Sequence, residues 1–202
     1  SSLLNLLFHE ELGGRQFKSS CTVNSCTKGV WLAGRPIPIR IEGRRAQLLI
    51  IDTEGLGSSD SHSSHDSNIF ALSLLLSSMF CYNSIGAIDD NALTALSTTL
   101  SVAQIIQKSS EKKKSGESPG SAAAAPPAFE FPNFLWLVRD FSLRIMDRTG
   151  RSISEKDYIE SILTHETTDS GKQHTRRTIM DLFPRRDCVT LVRPCDKEDH
   201  LQ

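Results

Sequence analysis

The sequence has few of the features that define several common classes of protein. Its five cysteines include no Cys-x-x-Cys pair, which argues against a disulfide framework and against a zinc knuckle. The longest apolar run, Ile69 to Tyr82, is interrupted by serines and is shorter than the ~20 residues that a membrane-spanning helix needs. The formal net charge of −1 gives no electrostatic reason to expect nucleic acid as a partner. We therefore expect a folded protein of a reducing compartment, with a cytoplasmic location.

What is present is an alternation of strand-like and helix-like segments. Short apolar runs that predict strands occur at 30–33, 46–51, 82–86, 134–138 and 188–192. Segments that predict helices occur at 1–8, 68–79, 91–107, from Ser154 onward, and at 174–183. This alternation predicts an α/β fold with a mostly parallel sheet and helices on both faces. We interpret residues 1–202 as one domain with a single core.

Two polar segments interrupt this pattern. Residues 108–128 are of low complexity and cannot bury enough apolar surface to offset the entropy of ordering, so they predict a disordered insertion within the domain. Residues 57–67 are rich in serine and predict a mobile loop. His62, His65 and Asp66 of that loop are residue types that can bind a metal ion, but the loop offers no fourth ligand nearby. We therefore interpret them as solvated residues.

The run at 46–51 ends in an Asp-x-x-Gly motif, from Asp52 to Gly55. An acid and a glycine at the carboxyl end of a buried strand are typical of phosphate-handling α/β proteins. The acid can hold Mg²⁺, and the glycine lets a backbone N–H approach a terminal phosphate. Asp140 and Arg193 likewise follow predicted strands. Because ligands of α/β sheets bind at the carboxyl ends of strands, we expect Asp52, Asp140 and Arg193 to lie at that edge.

Five short segments along the chain, taken together and in this order, point to one family. They are Thr-Lys-Gly-Val-Trp at 27–31, Asp-Thr-Glu-Gly-Leu-Gly at 52–57, Tyr-Asn-Ser-Ile-Gly at 82–86, Leu-Val-Arg-Asp-Phe at 137–141 and Val-Arg-Pro at 192–194. Together they resemble the GTPase domain of the guanylate-binding proteins, the dynamin-related large GTPases that also include atlastins. The segment 188–194 looks most like plant or protist members. The resemblance covers nearly the whole chain and implies a three-layer P-loop NTPase domain.

The resemblance also implies how the chain begins. Family members carry Gly-x-x-x-x-Gly-Lys-Ser followed by Leu-x-Asn, and Ser1 with Leu3-Leu4-Asn5 resembles the end of that motif. We therefore expect the domain to be truncated at its amino terminus, without its first strand and phosphate loop, and Ser1 to be a Mg²⁺-binding hydroxyl. Because that loop supplies the backbone N–H groups and the lysine that hold the phosphates, this chain is expected to bind nucleotide weakly and to hydrolyse it poorly.

The resemblance implies a role for each matched residue near the phosphates. Thr27 corresponds to a first-switch threonine that binds Mg²⁺ and senses the γ-phosphate, and Ser25 to a switch residue that positions the attacking water. Asp52 would hold Mg²⁺ through water, and Gly55 would offer its N–H to the γ-phosphate. Glu54 would take part in the water network around that phosphate.

At the other end of the nucleotide, the resemblance makes Asp140 the residue that recognises guanine. A carboxylate can accept hydrogen bonds from guanine N1–H and from the exocyclic amine, whereas adenine offers neither at that edge. Arg139 and Asp140 stand where most small GTPases have Asn-Lys-x-Asp, a difference typical of the family. Arg193 and Pro194 resemble the start of a guanine cap that packs over the base and takes part in dimerisation.

The predicted function is therefore Mg²⁺-dependent hydrolysis of GTP to GDP, with nucleotide-dependent homodimerisation through the nucleotide face. Membrane association would come from regions outside this chain, on intracellular membranes. Two alternatives stay open. One is a catalytically inactive pseudo-GTPase that serves as a dimerisation or interaction scaffold. The other is an ATPase of the same fold, for which replacement of Asp140 would leave the nucleotide preference unchanged.

Overall fold

The computed structural model describes residues 2–13, 17, 29–54, 63–97, 100, 105 and 130–193. The contacts between residues divide the chain into two units, Ser1–Ser73 and Leu74–Gln202. The predicted insertion at 108–128 lies outside the described residues. Within the described ranges, no helix is both long enough and apolar enough to cross a bilayer.

The first unit contains two antiparallel strand pairs and a helix at its start. Its elements are α1 (Ser2–Leu7), β1 (Val30–Leu32), β2 (Ile37–Ile41), β3 (Arg44–Leu48), β4 (Ile51–Thr53) and most of α2 (Ser63–Leu76). Strands β2 and β3 form a hairpin, and β1 pairs with β4. The hairpin turns at Glu42 and Gly43, which both have positive φ (49° and 78°), as tight two-residue turns require. Pro38 is tolerated in β2 because, among the described residues, this strand pairs only with β3.

The predicted single buried strand at 46–51 is wrong. The chain leaves β3 at Leu48 and enters β4 at Ile51, and Leu49 between them is 49% exposed. Strand β3 carries exposed residues at Arg44, Arg45 and Gln47. One face of the hairpin is thus solvated, which antiparallel pairs allow and buried parallel strands do not. An apolar run alone does not reveal a change of pairing partner within it.

The core of the first unit is small and joins residues distant in sequence. Phe17, Ala33, Ile37 and Ile50 are buried together. Asn5 of α1, itself 9% exposed, hydrogen-bonds both backbone groups of Phe17: its Nδ2 donates to the Phe17 carbonyl and its Oδ1 accepts from the Phe17 N–H, each at 2.8 Å. We call these two hydrogen bonds the clasp on Phe17. They hold the backbone at Phe17 against α1.

The second unit contains a parallel sheet. Its elements are the end of α2, β5 (Met79–Ile85), a helix α3 that includes residues 90–97, β6 (Asn133–Arg139), α4 (Glu155–Leu163), α5 (Ser170–Leu182) and β7 (Arg186–Thr190). The strand order is β5-β6-β7, and both pairings are parallel, with Tyr82, Trp136 and Cys188 side by side. This arrangement confirms the predicted α/β class with a parallel sheet.

The predicted strand at 134–138 is confirmed as the buried centre of this sheet. Trp136 is fully buried, and its indole N–H donates to Ser84 Oγ at 2.8 Å. Phe134 stacks on Phe183 with ring centroids 4.7 Å apart. Arg176 of α5 joins the three helices, since it donates to Asp90 at 2.8 Å and to the Ile162 carbonyl at 3.1 Å.

The predicted helices differ from the observed ones mainly at their ends. The start of α4 after Ser154 is confirmed, and Ser154 forms a capping box with Asp157. Helix α2 begins at Ser63, so residues 63–67 of the predicted loop are helical. It ends at Leu76, so Met79, the predicted last residue of this helix, belongs to β5 and is 55% exposed.

Candidate functional site

The two acidic residues of the Asp-x-x-Gly motif, Asp52 and Glu54, are buried in the first unit, in β4 and directly after it. Asp52 is in the middle of β4, opposite Trp31, and not at the carboxyl end of a parallel strand as predicted. Asp52 and Glu54 are 7% and 8% exposed. Because alternate residues of an extended strand share a face, both carboxylates lie on the same side of β4.

Glu54 is bound to the segment that precedes β1. Its Oε2 accepts a hydrogen bond from the Gly29 N–H at 3.1 Å, and its own N–H donates to the Gly29 carbonyl at 3.1 Å. Gly29 has φ +75°, a left-handed conformation that glycine adopts without strain. The backbone bond extends the β1–β4 pairing by one step. Together, the two bonds connect Glu54 to Gly29, two residues after Thr27.

In the second unit, Asp140 directly follows β6, as predicted. Its φ of +54° is uncommon for a residue other than glycine, although aspartate tolerates it better than most. The backbone is held on both sides of this turn. The Gly86 N–H donates to the Arg139 carbonyl at 2.9 Å, and the Phe141 N–H donates to the Leu191 carbonyl at 3.0 Å. The side chain of Asp140 is exposed, so its carboxylate is accessible to a ligand.

Arg139 is oriented by the neighbouring strand. Its Nε donates to Asn83 Oδ1 at 2.8 Å, and its backbone lies opposite Ile85 in the parallel register. Arg139 is the last residue of β6, and this hydrogen bond anchors its side chain to β5 directly before Asp140.

Tyr158 of α4 contacts the turns that follow both β5 and β6. Its hydroxyl accepts a hydrogen bond from the Ile88 N–H at 3.1 Å, and its ring lies 5.8 Å from the ring of Phe141. Burial, followed by the nearby Cys188 and Asp89, raises the pKa of Tyr158, although the bond from Ile88 lowers it in part. The hydroxyl thus stays protonated at physiological pH.

The remaining predicted site residues are placed only in part. Ser1, Ser25, Thr27, Gly55 and Pro194 lie outside the described residues. Arg193 is exposed just beyond β7. Asp52 and Glu54 belong to the first unit, whereas Arg139, Asp140 and Arg193 belong to the second. In the described ranges, no group of three or more His, Cys, Asp or Glu side chains could hold a metal ion.

Sequence reasoning assigns no role to three residues that organise these turns, Gly29, Asn83 and Tyr158, although Gly29 and Asn83 stand in two of the family segments. Asn83 has a weak signal, because it is a polar residue near the carboxyl end of a parallel strand. The sequence does not reveal the partners of Gly29 and Tyr158, since these lie 25 and 70 residues away in the chain.

Comparison with known proteins agrees with the motifs. The family model "Guanylate-binding protein, N-terminal domain" matches residues 1–202. Guanylate-binding protein 3 of Mus musculus is 37% identical over 95% of this chain, and guanylate-binding proteins 6 and 2 of Homo sapiens are each 34% identical over 100% and 98% of it. The chain spans 31–32% of the length of these three relatives. The chain therefore belongs to the guanylate-binding protein family and matches the family's N-terminal domain, which is a large GTPase domain.

Proposed function

We propose that this protein binds guanine nucleotides selectively and hydrolyses GTP to GDP and phosphate in a Mg²⁺-dependent reaction. The observation that carries the proposal is the turn at Asp140. Its exposed carboxylate follows the buried central strand of a parallel sheet, and hydrogen bonds on both sides hold the backbone. Carboxyl ends of parallel strands are where α/β proteins bind their ligands.

Asp140 selects guanine through hydrogen bonds that adenine cannot make. Its two carboxylate oxygens accept from the N1–H and the exocyclic amine of guanine, and both bonds are charge-assisted. Adenine has no proton on N1 and no amine at that edge, so it leaves the carboxylate desolvated and without donors. The neighbouring guanidinium of Arg139 is bound to Asn83 on β5.

At the phosphate end, Asp52 is the described residue that fits a magnesium ion. It offers carboxylate oxygens, the donors that Mg²⁺ prefers, and it shares a face of β4 with a second buried carboxylate, Glu54. A bound Mg²⁺ ion neutralises charge on the β- and γ-phosphates. Mg²⁺ in such sites needs only one or two carboxylates, because phosphates and water complete its shell. As the family resemblance implies, Asp52 would hold the ion through water.

The attack on the γ-phosphate depends on residues around the first switch. Ser25 would position the attacking water, Thr27 would contact the ion and the γ-phosphate, and Gly55 would donate its N–H to that phosphate. Glu54 would orient the water network, and its bonds to Gly29 connect it to the switch backbone. Such positioning supplies most of the catalysis in phosphoryl transfer. Ser1 completes the proposed metal ligands.

Nucleotide selectivity is the first test. The full-length protein and its Asp140→Asn variant are titrated with GTP, ATP and xanthosine triphosphate in the presence of Mg²⁺. We expect the variant to lose about 100-fold in GTP affinity, since the amide carries no charge, keeps a single acceptor oxygen and turns its N–H₂ toward the second guanine donor. It should gain affinity for xanthosine triphosphate, because the new amide N–H₂ can donate to the xanthine C2 carbonyl.

The matched control is Asp181→Asn, the same substitution at an exposed position of α5. It should leave all three affinities unchanged. An unchanged GTP preference in Asp140→Asn would refute the assignment of Asp140 and favour an ATPase or another ligand. Phosphate release from GTP then tests catalysis: selective binding without Mg²⁺-dependent phosphate release would identify a pseudo-GTPase scaffold.

We further propose that GTP promotes homodimerisation through the nucleotide face, with Arg193 and Pro194 at the start of the cap over the base. Sedimentation of the full-length protein with GDP and with a non-hydrolysable GTP analogue tests this directly. A single monomeric species in both states would contradict it. A cytoplasmic location, with peripheral association with intracellular membranes through other regions of the protein, stays a prediction.

A further inference from the structure

Tyr158 of α4 packs against the turn at Asp140. Phe141, which follows Asp140, is 6% exposed, and its ring lies 5.8 Å from the ring of Tyr158 at an interplanar angle of 56°. The same tyrosine accepts a hydrogen bond from the N–H of Ile88, a residue that is also 6% exposed. Tyr158 therefore contacts two different loops, one after β6 and one after β5.

These two loops are also joined directly to each other. Gly86, shortly before Ile88, donates its N–H to the Arg139 carbonyl at 2.9 Å. Gly86 has φ +79°, so the chain turns sharply at this point and brings Ile88 to the hydroxyl. The contacts form a closed ring that runs from Tyr158 through Ile88, Gly86 and Arg139 to Phe141 and back. Asp140 is itself part of this ring, because it links Arg139 to Phe141 along the chain.

The backbone of Asp140 needs such support. A residue other than glycine at φ +54° persists when its surroundings over-determine the conformation. The bond from Gly86 restrains the peptide before Asp140, and the packing of Phe141 on Tyr158 restrains the residue after it. The Asp140 side chain itself is exposed, so this backbone sets the point and the direction from which the side chain leaves the chain.

We propose that Tyr158 is a positioning residue for guanine recognition: it fixes the Asp140 turn by packing on Phe141 and by accepting the Ile88 N–H. This inference rests on the proposed function, because it assumes that Asp140 recognises the base. This role requires no contact of Tyr158 with the base or the phosphates. Its effect is confined to how well the carboxylate is preorganised, and therefore to the difference between guanine and adenine affinity.

A tyrosine suits this position better than a phenylalanine does. The ring alone would retain the contact with Phe141, but only the hydroxyl oxygen can accept the buried Ile88 N–H. Burial raises the pKa of Tyr158, so the hydroxyl does not ionise near neutral pH and the contact is insensitive to pH in that range.

The test measures GTP and ATP affinity of the full-length protein in three variants. Tyr158→Phe removes the hydroxyl and keeps the ring. Phe141→Leu removes the ring contact and keeps the hydroxyl bond. The matched control, Tyr82→Phe, removes the hydroxyl of the chain's other tyrosine, whose ring packs on Trp136 in the same sheet.

We expect the ratio of GTP to ATP affinity to fall about tenfold in Tyr158→Phe, the effect of one hydrogen bond, and to fall in the same direction in Phe141→Leu. The control should keep its ratio. A purely structural role would lower the melting temperature and both affinities together, without a change in their ratio. An unchanged ratio in either Tyr158→Phe or Phe141→Leu overturns the inference.

Asp140→Asn, measured alongside, separates the two claims. If Asp140→Asn abolishes the preference for GTP while Tyr158→Phe keeps it, the role of Tyr158 is refuted and the proposed function stands. If Asp140→Asn also keeps the preference for GTP, the proposed function fails, and the inference on Tyr158 fails with it.

Discussion

Replacement of Asn5 by leucine tests what holds the first unit together. Leucine has the same branched arrangement of side-chain heavy atoms as asparagine and favours helix, so α1 itself should tolerate it. What it removes is the clasp on Phe17, two hydrogen bonds of 2.8 Å each. Asn5 is 9% exposed and Phe17 is 8% exposed, so water cannot replace the lost partner unless the site opens.

The expected cost follows from these two bonds. A buried donor or acceptor left without a partner costs about 1–3 kcal/mol. Two such groups on Phe17, with some relaxation of the backbone, are expected to cost about 3 kcal/mol together. Because folded domains are stable by only about 5–15 kcal/mol, this is a large share of the total.

Hydrogen exchange followed by mass spectrometry is the suitable assay, because it reports on the first unit separately from the rest of the protein. A loss of 3 kcal/mol corresponds to a fall of about 100-fold in the protection of peptides from α1 and β1 to β4. The control is Asn68→Leu, the same change at an exposed position of α2. Protection in Asn5→Leu within about threefold of the wild type would refute the reasoning, because the clasp would then contribute less than one ordinary hydrogen bond.

Two further predictions concern the second unit. Ser154→Ala should destabilise it by about 1 kcal/mol, because the capping box with Asp157 is lost, whereas Ser170→Ala at the exposed start of α5 should have no measurable effect in thermal unfolding. Burial raises the pKa of Cys188 to about 12, so thiol reagents should label it at neutral pH only after unfolding. The unfolded thiol ionises near its ordinary pKa of 9.0, so above that pH the unfolded state binds fewer protons and stability should fall up to about pH 12. Cys188→Ala should lack this part of the decline, and an equal decline in both proteins would contradict the assignment.

The sequence alone was sufficient for the family, for the α/β class and for the position of Asp140. The family motifs are short and local, and the comparisons confirm them. Strand β6 was predictable because a continuous apolar run is typical of a strand buried on both faces. The start of α4 was predictable because a serine followed by an acid at the third helical position satisfies backbone groups within one turn. Each of these features depends on residues that are close together in the chain.

The tertiary structure decided the features whose partners are distant. The run at 46–51 divides between two strands because its first part pairs with β2 and its last residue belongs to β4, which pairs with β1. No local pattern shows this change of partner. Glu54 is bound to Gly29 across 25 residues, and Tyr158 reaches Ile88 across 70. The positive φ of Asp140 depends on contacts with neighbouring elements. Hydrogen bonds and ring contacts between distant residues leave no period and no fixed spacing in a sequence, so only the folded chain reveals how the predicted residues are held.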